Sequence, residues 1–564
     1  MENLVDTKLA NPFQVGDWRV DPNSGRIQKS GEEVKLEPKV MQVLVYLAEN
    51  QGQVVSREAL ESTAWAGMVV GYDAVSGSII KLRKALGDNS RNPQYIETVS
   101  KKGYRLIAPI SYGREEGQVS SPTIKKSSQT PIDRNSFILI GLGLFIVFGL
   151  LIYFNPGTET INNPALKSVE TPSVVVMPFK NLSGDPQQEY FSDGITDDLI
   201  TDLSRLDSVR VIAPQSSYYF KNNPAGLEEI ARQLGVLYIV EGSVRKLGSH
   251  IRVNVQLTDT RKGESIWANR FETDAGDIFK IQDSITGNVM DAMTLSLSGG
   301  GMEHIKDRGT KNLEAYDSFL LGQKYIKSRS KQGYDQTMKA YRHAIEIDPN
   351  YARAYGAMAV TITRGYRYQW SDLSLVEARE RALELAEKAV DLNKTNPQIF
   401  WSLAYVHLHR LEYDEAEVAA KESIQLSPNF ADGYALLANI ANWRGKAADA
   451  VKYIKKAIDL NPYYSFQYPS TLGLAYYELG QYEQAVDVLL QALERNENAL
   501  NPHLFLSASY IRLGRPDDAA WEIEQVSANR PDARLSSLGT MLPFEQKQLL
   551  MSLKDDLRKA GLPE

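Results

Sequence analysis

Residues 75–88, VSGSIIKLRKALGD, and residues 93–110, PQYIETVSKKGYRLIAPI, decide the fold of the first part of the chain. In the first stretch apolar residues recur at helical spacing, which predicts a helix from about Asp73 to Leu86 with one buried face. These apolar residues are Val75, Ile79, Leu82 and Leu86. The second stretch alternates apolar and polar residues on both sides of Gly103, which predicts a β-hairpin with the glycine in its turn.

The residues before this helix predict a small sheet and two more helices. Residues 18–28 form a hairpin pattern around a turn rich in Asp, Pro, Asn and Gly. Pro38 is suited to the first position of a helix that ends near residues 50–52. Ser56 is suited to cap a second helix, Arg57 to Ala64. The order is therefore sheet, helix, helix, helix and hairpin.

Positive charge is concentrated in the third helix and the hairpin. Between Val75 and Ile110 only Asp88 and Glu97 oppose a set of seven basic residues. This set is Lys81, Arg83, Lys84, Arg91, Lys101, Lys102 and Arg105. With the pattern I-x-x-L-R-x-x-L in the helix and G-Y-R at the end of the hairpin, residues 12–110 resemble the OmpR/PhoB-type winged helix-turn-helix DNA-binding domain.

The resemblance implies that the third helix lies in the major groove and the wing in the adjacent minor groove. By position it assigns base or phosphate contacts to Ser78, Lys81 and Arg83, and a backbone contact to Lys84. In the wing it assigns phosphate contacts to Lys102 and Arg105, assisted by Lys101. The alternative interpretation is that these cations form only a solvated face, as most charge runs do.

At two places in this domain the resemblance does not decide the role of the residues. Ile80 stands where the family often has a polar or basic residue, and an apolar contact with a thymine methyl would suit it. Residues 65–70 form the loop that in the family can contact RNA polymerase, whereas a packing role for Trp65 is the alternative.

Residues 137–154, FILIGLGLFIVFGLLIYF, predict a single transmembrane helix, because the uncharged run is about long enough to cross a bilayer. The charges near its ends are Lys125, Lys126 and Arg134 before it and Glu159 after it. This asymmetry predicts a single-pass protein whose N-terminal half is cytoplasmic and whose C-terminal half is exported. The lipid bilayer is then a partner.

Residues 174–206, VVVMPFKNLSGDPQQEYFSDGITDDLITDLSRL, begin a small α/β domain. They resemble the TolB N-terminal-like domain, for which no reaction is known. Asp193, Asp197 and Asp198 could serve as paired carboxylates for acid–base or metal chemistry. The alternative is that acids in the first helical turn stabilise the positive end of the helix dipole.

Chemistry-bearing motifs are otherwise absent from the sequence. The 564 residues include no cysteine and only 6 histidines, which excludes disulfides, thiolate metal sites and cysteine nucleophiles. No glycine-rich phosphate loop, serine elbow or metal motif stands beside the acids. We therefore expect no enzyme activity, no cofactor and no metal.

The second half of the chain repeats every 34 residues. Small residues and prolines recur in register, as in Ala404, Ala416 and Pro428 and then Ala438, Ala450 and Pro462. This is the tetratricopeptide period, which predicts about six helix pairs stacked into a superhelix with a concave groove. Trp401 and Trp443 either line this groove or serve helix packing. Such arrays bind peptides or proteins, and detection and assembly remain alternatives.

The predicted fold class is multidomain. It comprises an α+β winged helix-turn-helix, a single transmembrane helix, a small α/β domain and an all-α tetratricopeptide superhelix. The predicted segments are residues 1–110 (winged helix), 111–136 (linker), 137–154 (span), 155–172 (linker), 173–300 (α/β), 311–535 (repeats) and 536–564 (helical tail).

This layout resembles the ToxR/CadC type of membrane-integrated one-component transcription regulators. The resemblance implies a protein of the bacterial inner membrane with a cytoplasmic N-terminus and periplasmic C-terminal domains. It also implies binding to double-stranded promoter DNA, a periplasmic protein or small molecule as the signal, and a homodimer as the active form. No receiver domain precedes the winged helix, so phosphorylation has no obvious target. The alternatives are a membrane scaffold, in which the winged helix binds a protein, and an envelope enzyme.

Overall fold

The computed structural model describes residues 12–64, 74–88, 93–99, 103–112, 172–248, 250–274, 278–293 and 309–564. Residues 113–171, which include the predicted span, lie outside this set, and so do the loop of residues 65–73 and the wing residues Lys101 and Lys102.

An antiparallel sheet opens the first domain. Its strands are β1 (Phe13–Val15), β2 (Trp18–Asp21), β3 (Arg26–Lys29), β4 (Glu32–Lys35) and, after the helices, β7 (Ile110–Tyr112), in the order β4-β3-β2-β1-β7. The predicted hairpin of residues 18–28 is confirmed, with Val20 opposite Ile27. Asp21 closes its turn by accepting hydrogen bonds from the amides of Asn23 and Ser24.

Three helices and a hairpin complete this domain. They are α1 (Pro38–Glu49), α2 (Arg57–Ala64), α3 (Ala74–Leu86), β5 (Ile96–Val99) and β6 (Gly103–Leu106). The four apolar residues predicted to anchor the third helix are all at most 2% exposed. They pack with Leu44, Leu47 and Leu60 in one core, so the sheet, the helices and the hairpin form a winged helix.

The predicted transmembrane helix, and with it the predicted membrane localisation, is corrected. Within the described part of the chain, no helix is both long and apolar enough to cross a membrane. The 18-residue helix Leu375–Leu392, for example, carries Glu377, Arg381 and Lys388. A bilayer span needs roughly 20 mainly apolar residues, and this helix instead has the charged face of a surface helix.

An α/β domain follows, built on a six-stranded sheet. The strands are β8 (Ser173–Val176), β9 (Lys180–Asn181), β10 (Arg210–Val211), β11 (Tyr238–Leu247), β12 (His250–Asp259) and β13 (Glu264–Asp274), ordered β10-β8-β11-β12-β13 with β9 beside β11. The helices are α4 (Glu189–Leu203), α5 (Pro214–Asn222), α6 (Leu227–Leu234) and α7 (Ile278–Ala292). The strand β8 pairs in parallel with both β10 and β11. The strands β11, β12 and β13 form an antiparallel meander.

The rest of the chain is helical. Successive helices are α8 (Leu313–Ile326), α9 (Lys331–Ile347), α10 (Ala352–Arg367), α11 (Leu375–Leu392), α12 (Pro397–Arg410), α13 (Tyr413–Leu426), α14 (Ala431–Trp443), α15 (Ala447–Leu460), α16 (Gln467–Glu478), α17 (Tyr482–Arg495), α18 (Leu500–Arg512), α19 (Pro516–Asn529), α20 (Leu538–Met541) and α21 (Lys547–Lys559). The predicted superhelix of helix pairs is confirmed.

Small residues let the paired helices cross closely. A Cβ at Gly322 would overlap the ring of Tyr341 on the partner helix, and one at Gly473 would overlap Leu489. Both glycines lie where a second helix crosses their own helix. The positions at which small residues recur in the repeat are therefore positions of close helix packing.

The α/β domain is packed into the first helix pairs of the array. Buried residues of α4 and the sheet share one apolar cluster with Tyr316, Phe319 and Tyr351 of the repeats. Further along the array, the side-chain amide of Asn429 donates to the carbonyls of Leu206 and Val209, at 2.6 and 2.8 Å. The two regions therefore bury a common interface.

Candidate nucleic-acid interface

The helix α3 is held rigidly by buried contacts at its C-terminal end. The indole nitrogen of Trp18 donates to the Leu86 carbonyl at 3.2 Å. Asp88, 3% exposed, accepts hydrogen bonds from the backbone amides of Gln94, Tyr95 and Ile96. These bonds fix the path of the chain into the wing, because one side chain accepts from three successive backbone amides.

Gly103 opens the second wing strand. Its φ is +130°, and a Cβ there would overlap the carbonyl oxygen of Val55. The next residue, Tyr104, exchanges backbone hydrogen bonds of 2.8 and 2.9 Å with Val55. The wing is thus attached to the segment before α2, and only glycine permits this close approach.

Arg83 lies inside the domain, although the resemblance assigns it to bases or phosphates. Its side chain is 4% exposed, and Nη2 donates to the Ile96 carbonyl at 3.1 Å and to Thr98 Oγ1 at 2.7 Å. Nη1 donates to Glu497 of the repeats at 2.8 Å. Through these bonds Arg83 connects α3 to the first wing strand.

The remaining predicted contact residues fall into different environments. Lys81 is on the surface, with a side chain 47% exposed and an ion pair of 2.9 Å to Glu37. Ser78, to which the resemblance assigns a base or phosphate contact, is 6% exposed. Arg105 pairs with Glu97 across the wing hairpin, at 2.6 Å. Lys101 and Lys102 lie outside the described residues.

Lys84 contacts the repeats. Its ammonium group forms an ion pair with Asp518 and lies 5.3 Å from the ring centroid of Tyr510 and 5.9 Å from that of Trp521. Together with the Arg83–Glu497 pair, this contact places the C-terminal half of α3 against the last helix pairs. A duplex could approach that half of α3 only after these contacts separate.

The three acids of α4 are in three different settings. Asp193 accepts an ion pair from Lys221 at 2.5 Å, and Asp198 accepts one from Arg353 at 2.8 Å. Asp197 is in neither pair. The helix begins at Glu189, so none of the three stands in its first turn, and the dipole interpretation is wrong. Among the described residues, no cluster of His, Cys, Asp and Glu suited to a metal ion occurs.

Two family models match the chain, one in the winged helix and one in the C-terminal helices. Residues 31–106 match "Transcriptional regulatory protein, C terminal", and residues 476–542 match "Tetratricopeptide repeat". The first match covers the helices α1 to α3 and the wing. The N-terminal domain is therefore a winged helix of the OmpR/PhoB type, and the C-terminal helices are a tetratricopeptide array.

Relatives with curated names agree on parts of the chain. The transcriptional activator CadC of Escherichia coli is 40% identical over 114 residues, 19% of this chain and 22% of the relative. The putative adenylate cyclase 3 of Rhizobium meliloti is 36% identical over 248 residues, 44% of this chain and 42% of the relative. The transcriptional regulator HilA of Salmonella typhimurium is 22% identical over 85% of this chain and 76% of the relative. The chain thus spans less than half the length of the first two.

Proposed function

We propose that this protein is a one-component transcriptional regulator that binds promoter DNA through the winged helix and receives its signal through the α/β domain and the repeats. The observation that supports it most directly is the match of residues 31–106 to a transcriptional regulatory domain, together with a helix α3 whose buried side is complete and whose other side carries Lys81 and Lys84. Two relatives named as transcriptional regulators, CadC and HilA, support the same class.

DNA binding and docking on the repeats exclude each other in this proposal. Lys84 cannot neutralise a phosphate while it pairs with Asp518. A signal that loosens the contact between α3 and the helices around Glu497 and Asp518 would free the domain for DNA. In a homodimer, two freed domains would bind half-sites about one helical turn apart, roughly 10 base pairs.

The test is binding of the full chain to fragments taken from upstream of bacterial operons, measured against an excess of unrelated DNA over a range of salt concentrations. We expect a sequence preference and a linear fall of log affinity with log salt, with a slope of about 0.9 for each phosphate contact. Lys81→Ala should reduce the slope by about one contact, whereas Lys331→Ala, an exposed lysine in the repeats, should leave it unchanged.

Binding without preference for any fragment, or binding that Lys81→Ala leaves untouched, would favour the rival class. In that class the winged helix is a protein-interaction module and the chain is a scaffold whose repeats recruit partner proteins.

A further inference from the structure

The strand β13 (Glu264–Asp274) forms an open edge of the six-stranded sheet. Its 11 residues pair with β12 on one side, and within the described residues no strand pairs with it on the other. From Glu264 to Arg270 every residue is exposed except Trp267, which is half-buried, so solvent reaches this edge. Such an edge presents a row of backbone N–H and C=O groups to which a further strand can bind.

The registers of the sheet identify which backbone groups of β13 point away from β12. In β11 the carbonyls of Val240 and Val244 accept hydrogen bonds from amides on the side of β8 and β9. Successive residues of a strand direct their backbone groups to opposite sides, and the pairings carry this alternation from β11 through β12 to β13. The outward groups of β13 therefore belong to Ala268, Arg270 and Glu272.

Two local features agree with this assignment. The Arg270 amide donates to Asn269 Oδ1 at 2.8 Å, so this amide is directed away from β12. The ladder between β12 and β13 has its register shift at Leu257 and Thr258, beside the first residues of β13. The rest of the strand, up to Asp274, is thus a regular edge, and it contains no proline.

The outward residues carry charges of opposite sign on the solvent face of the sheet. The Arg252 guanidinium of β12 forms an ion pair with Glu272 at 2.7 Å, and Arg270 donates to the side chain of Asn254 at 3.2 Å. The side chain of Glu272 is still 41% exposed, so it can accept a second cation from the open side. On the other face of the strand, Phe271 packs against the core of the domain.

We infer that β13 pairs with β13 of a second copy of this chain, antiparallel and about a two-fold axis at Phe271. This register places Arg270 of each copy opposite Glu272 of the other. The outward N–H and C=O groups of both residues then bond across the axis, and each charge faces one of opposite sign. Each Glu272 lies between Arg252 of its own copy and Arg270 of the second copy.

Neighbouring two-fold registers bring like charges together. An axis at Arg270 places two arginines opposite each other, and one at Asn269 places Glu264 opposite Asp274 at both ends of the contact. The axis at Phe271 avoids both arrangements. Because the same edge supplies both surfaces, the contact closes on itself as a dimer and does not propagate.

This inference deepens the proposed function, because it names the interface of the homodimer whose two winged helices bind half-sites. Its test does not depend on DNA. A chain that does not dimerise through β13 can still bind a promoter through the winged helix, and a chain that binds no promoter can still dimerise, so the two failures are distinguishable.

The experiment is sedimentation of the full chain over a range of protein concentrations. Arg270→Glu and Glu272→Arg should each raise the dissociation constant of the dimer by roughly tenfold or more, because each change turns two attractive cross-strand pairs into repulsive ones. An equimolar mixture of the two variants should restore the dimer, since every acid then faces an arginine again. Arg245→Glu makes the same charge change at an exposed residue of β11 and should leave the dissociation constant unchanged.

Hydrogen exchange tests the backbone contact. In the dimer the outward amides of Ala268 and Glu272 should exchange slowly, and in Arg270→Glu they should exchange fast. The amides of Asn269 and Phe271, which bond to β12, should stay slow in both proteins and so show that the variant is folded.

Three results would overturn the inference. They are an unchanged chain that stays monomeric, a dimer that Arg270→Glu leaves intact, and a mixture of the two variants that does not recover the dimer. A monomer with slow exchange at Ala268 and Glu272 would show that another segment of the chain covers β13 in place of a second copy.

Discussion

We expect that removing the charge of Asp198 lowers the free energy of unfolding more than removing any other single charge. Its side chain is 3% exposed, and it accepts from Arg353 at 2.8 Å and from the Tyr316 hydroxyl at 2.6 Å. Arg353 belongs to the repeats and its side chain is 10% exposed. Asp198→Ala leaves this guanidinium in the interface without its carboxylate, which costs about 3–5 kcal/mol.

The assay is urea unfolding of the full chain, followed by tryptophan fluorescence and circular dichroism. With a urea dependence of about 3 kcal/mol per molar, the loss lowers the midpoint of the transition by roughly 1–2 M. The matched control is Glu384→Ala, which removes the acid of an ion pair with Arg381 whose side chains are 51% and 67% exposed. That change should cost less than about 1 kcal/mol, because water solvates both partners.

A double variant separates a lost attraction from a buried unpaired charge. Asp198→Leu combined with Arg353→Met removes both charges and keeps apolar volume, so it should be more stable than Asp198→Ala alone. The reasoning is refuted if Asp198→Ala and Glu384→Ala shift the midpoint equally, or if the double variant is less stable than the single one.

Three further changes test other parts of the structure. Gly103→Ala should destabilise the winged helix by more than about 1 kcal/mol and weaken DNA binding, because φ is +130° and the added Cβ overlaps the Val55 carbonyl. Thermal unfolding measures the loss of stability, and a gel shift measures the loss of DNA binding. Asp518→Lys should strengthen promoter binding, because it repels Lys84 and frees α3. Glu478→Gln should stabilise the protein at pH 9, because burial raises the pKa of Glu478 to about 8 and makes its ionised form costly. The gain in stability should shrink as the pH falls, and it should vanish below about 4.5, the ordinary pKa of a glutamate.

Each of these changes has a control in the chain. Gly31→Ala also places a side chain at positive φ, +91°, but in open space, so a loss as large as that of Gly103→Ala would contradict the steric argument. Asp517→Lys makes the same charge change one residue away from Asp518. If both variants strengthened promoter binding equally, the cause would be the overall charge of the protein and not the loss of the pair with Lys84. Glu483→Gln is exposed, and a similar pH-dependent gain there would contradict the burial argument for Glu478.

Features that depend on neighbours along the chain could be predicted closely. The helix Arg57–Ala64 has the predicted bounds, and the buried face of α3 is the predicted one, because a period of 3.6 residues fixes which side chains share a face. The 34-residue repeat likewise identified the helix pairs. The short helix Pro214–Asn222 was missed, and its Pro at the first position was the available signal.

The candidate site was harder to predict than the fold. Position in the family pattern placed Arg83 at the DNA, yet its guanidinium turns inward to Ile96 and Thr98. Periodicity alone cannot decide this, because an arginine at the edge of a buried face can either reach outward or satisfy buried carbonyls. The apolar run 137–154 predicted a span and lies outside the described residues, and no helix in the described part of the chain is long and apolar enough to cross a membrane.

By itself the sequence determined the winged-helix pattern, the basic character of α3 and the wing, and the repeat array, since each of these is written in residues close together along the chain. Only the tertiary structure decided which charged groups lie close to one another. Asp197, Lys327 and Arg364 meet at one cavity although long stretches of chain separate them, and Lys84 meets Asp518 across a still longer one. Ion pairing and burial depend on distances in space, and no local pattern in a sequence records those distances.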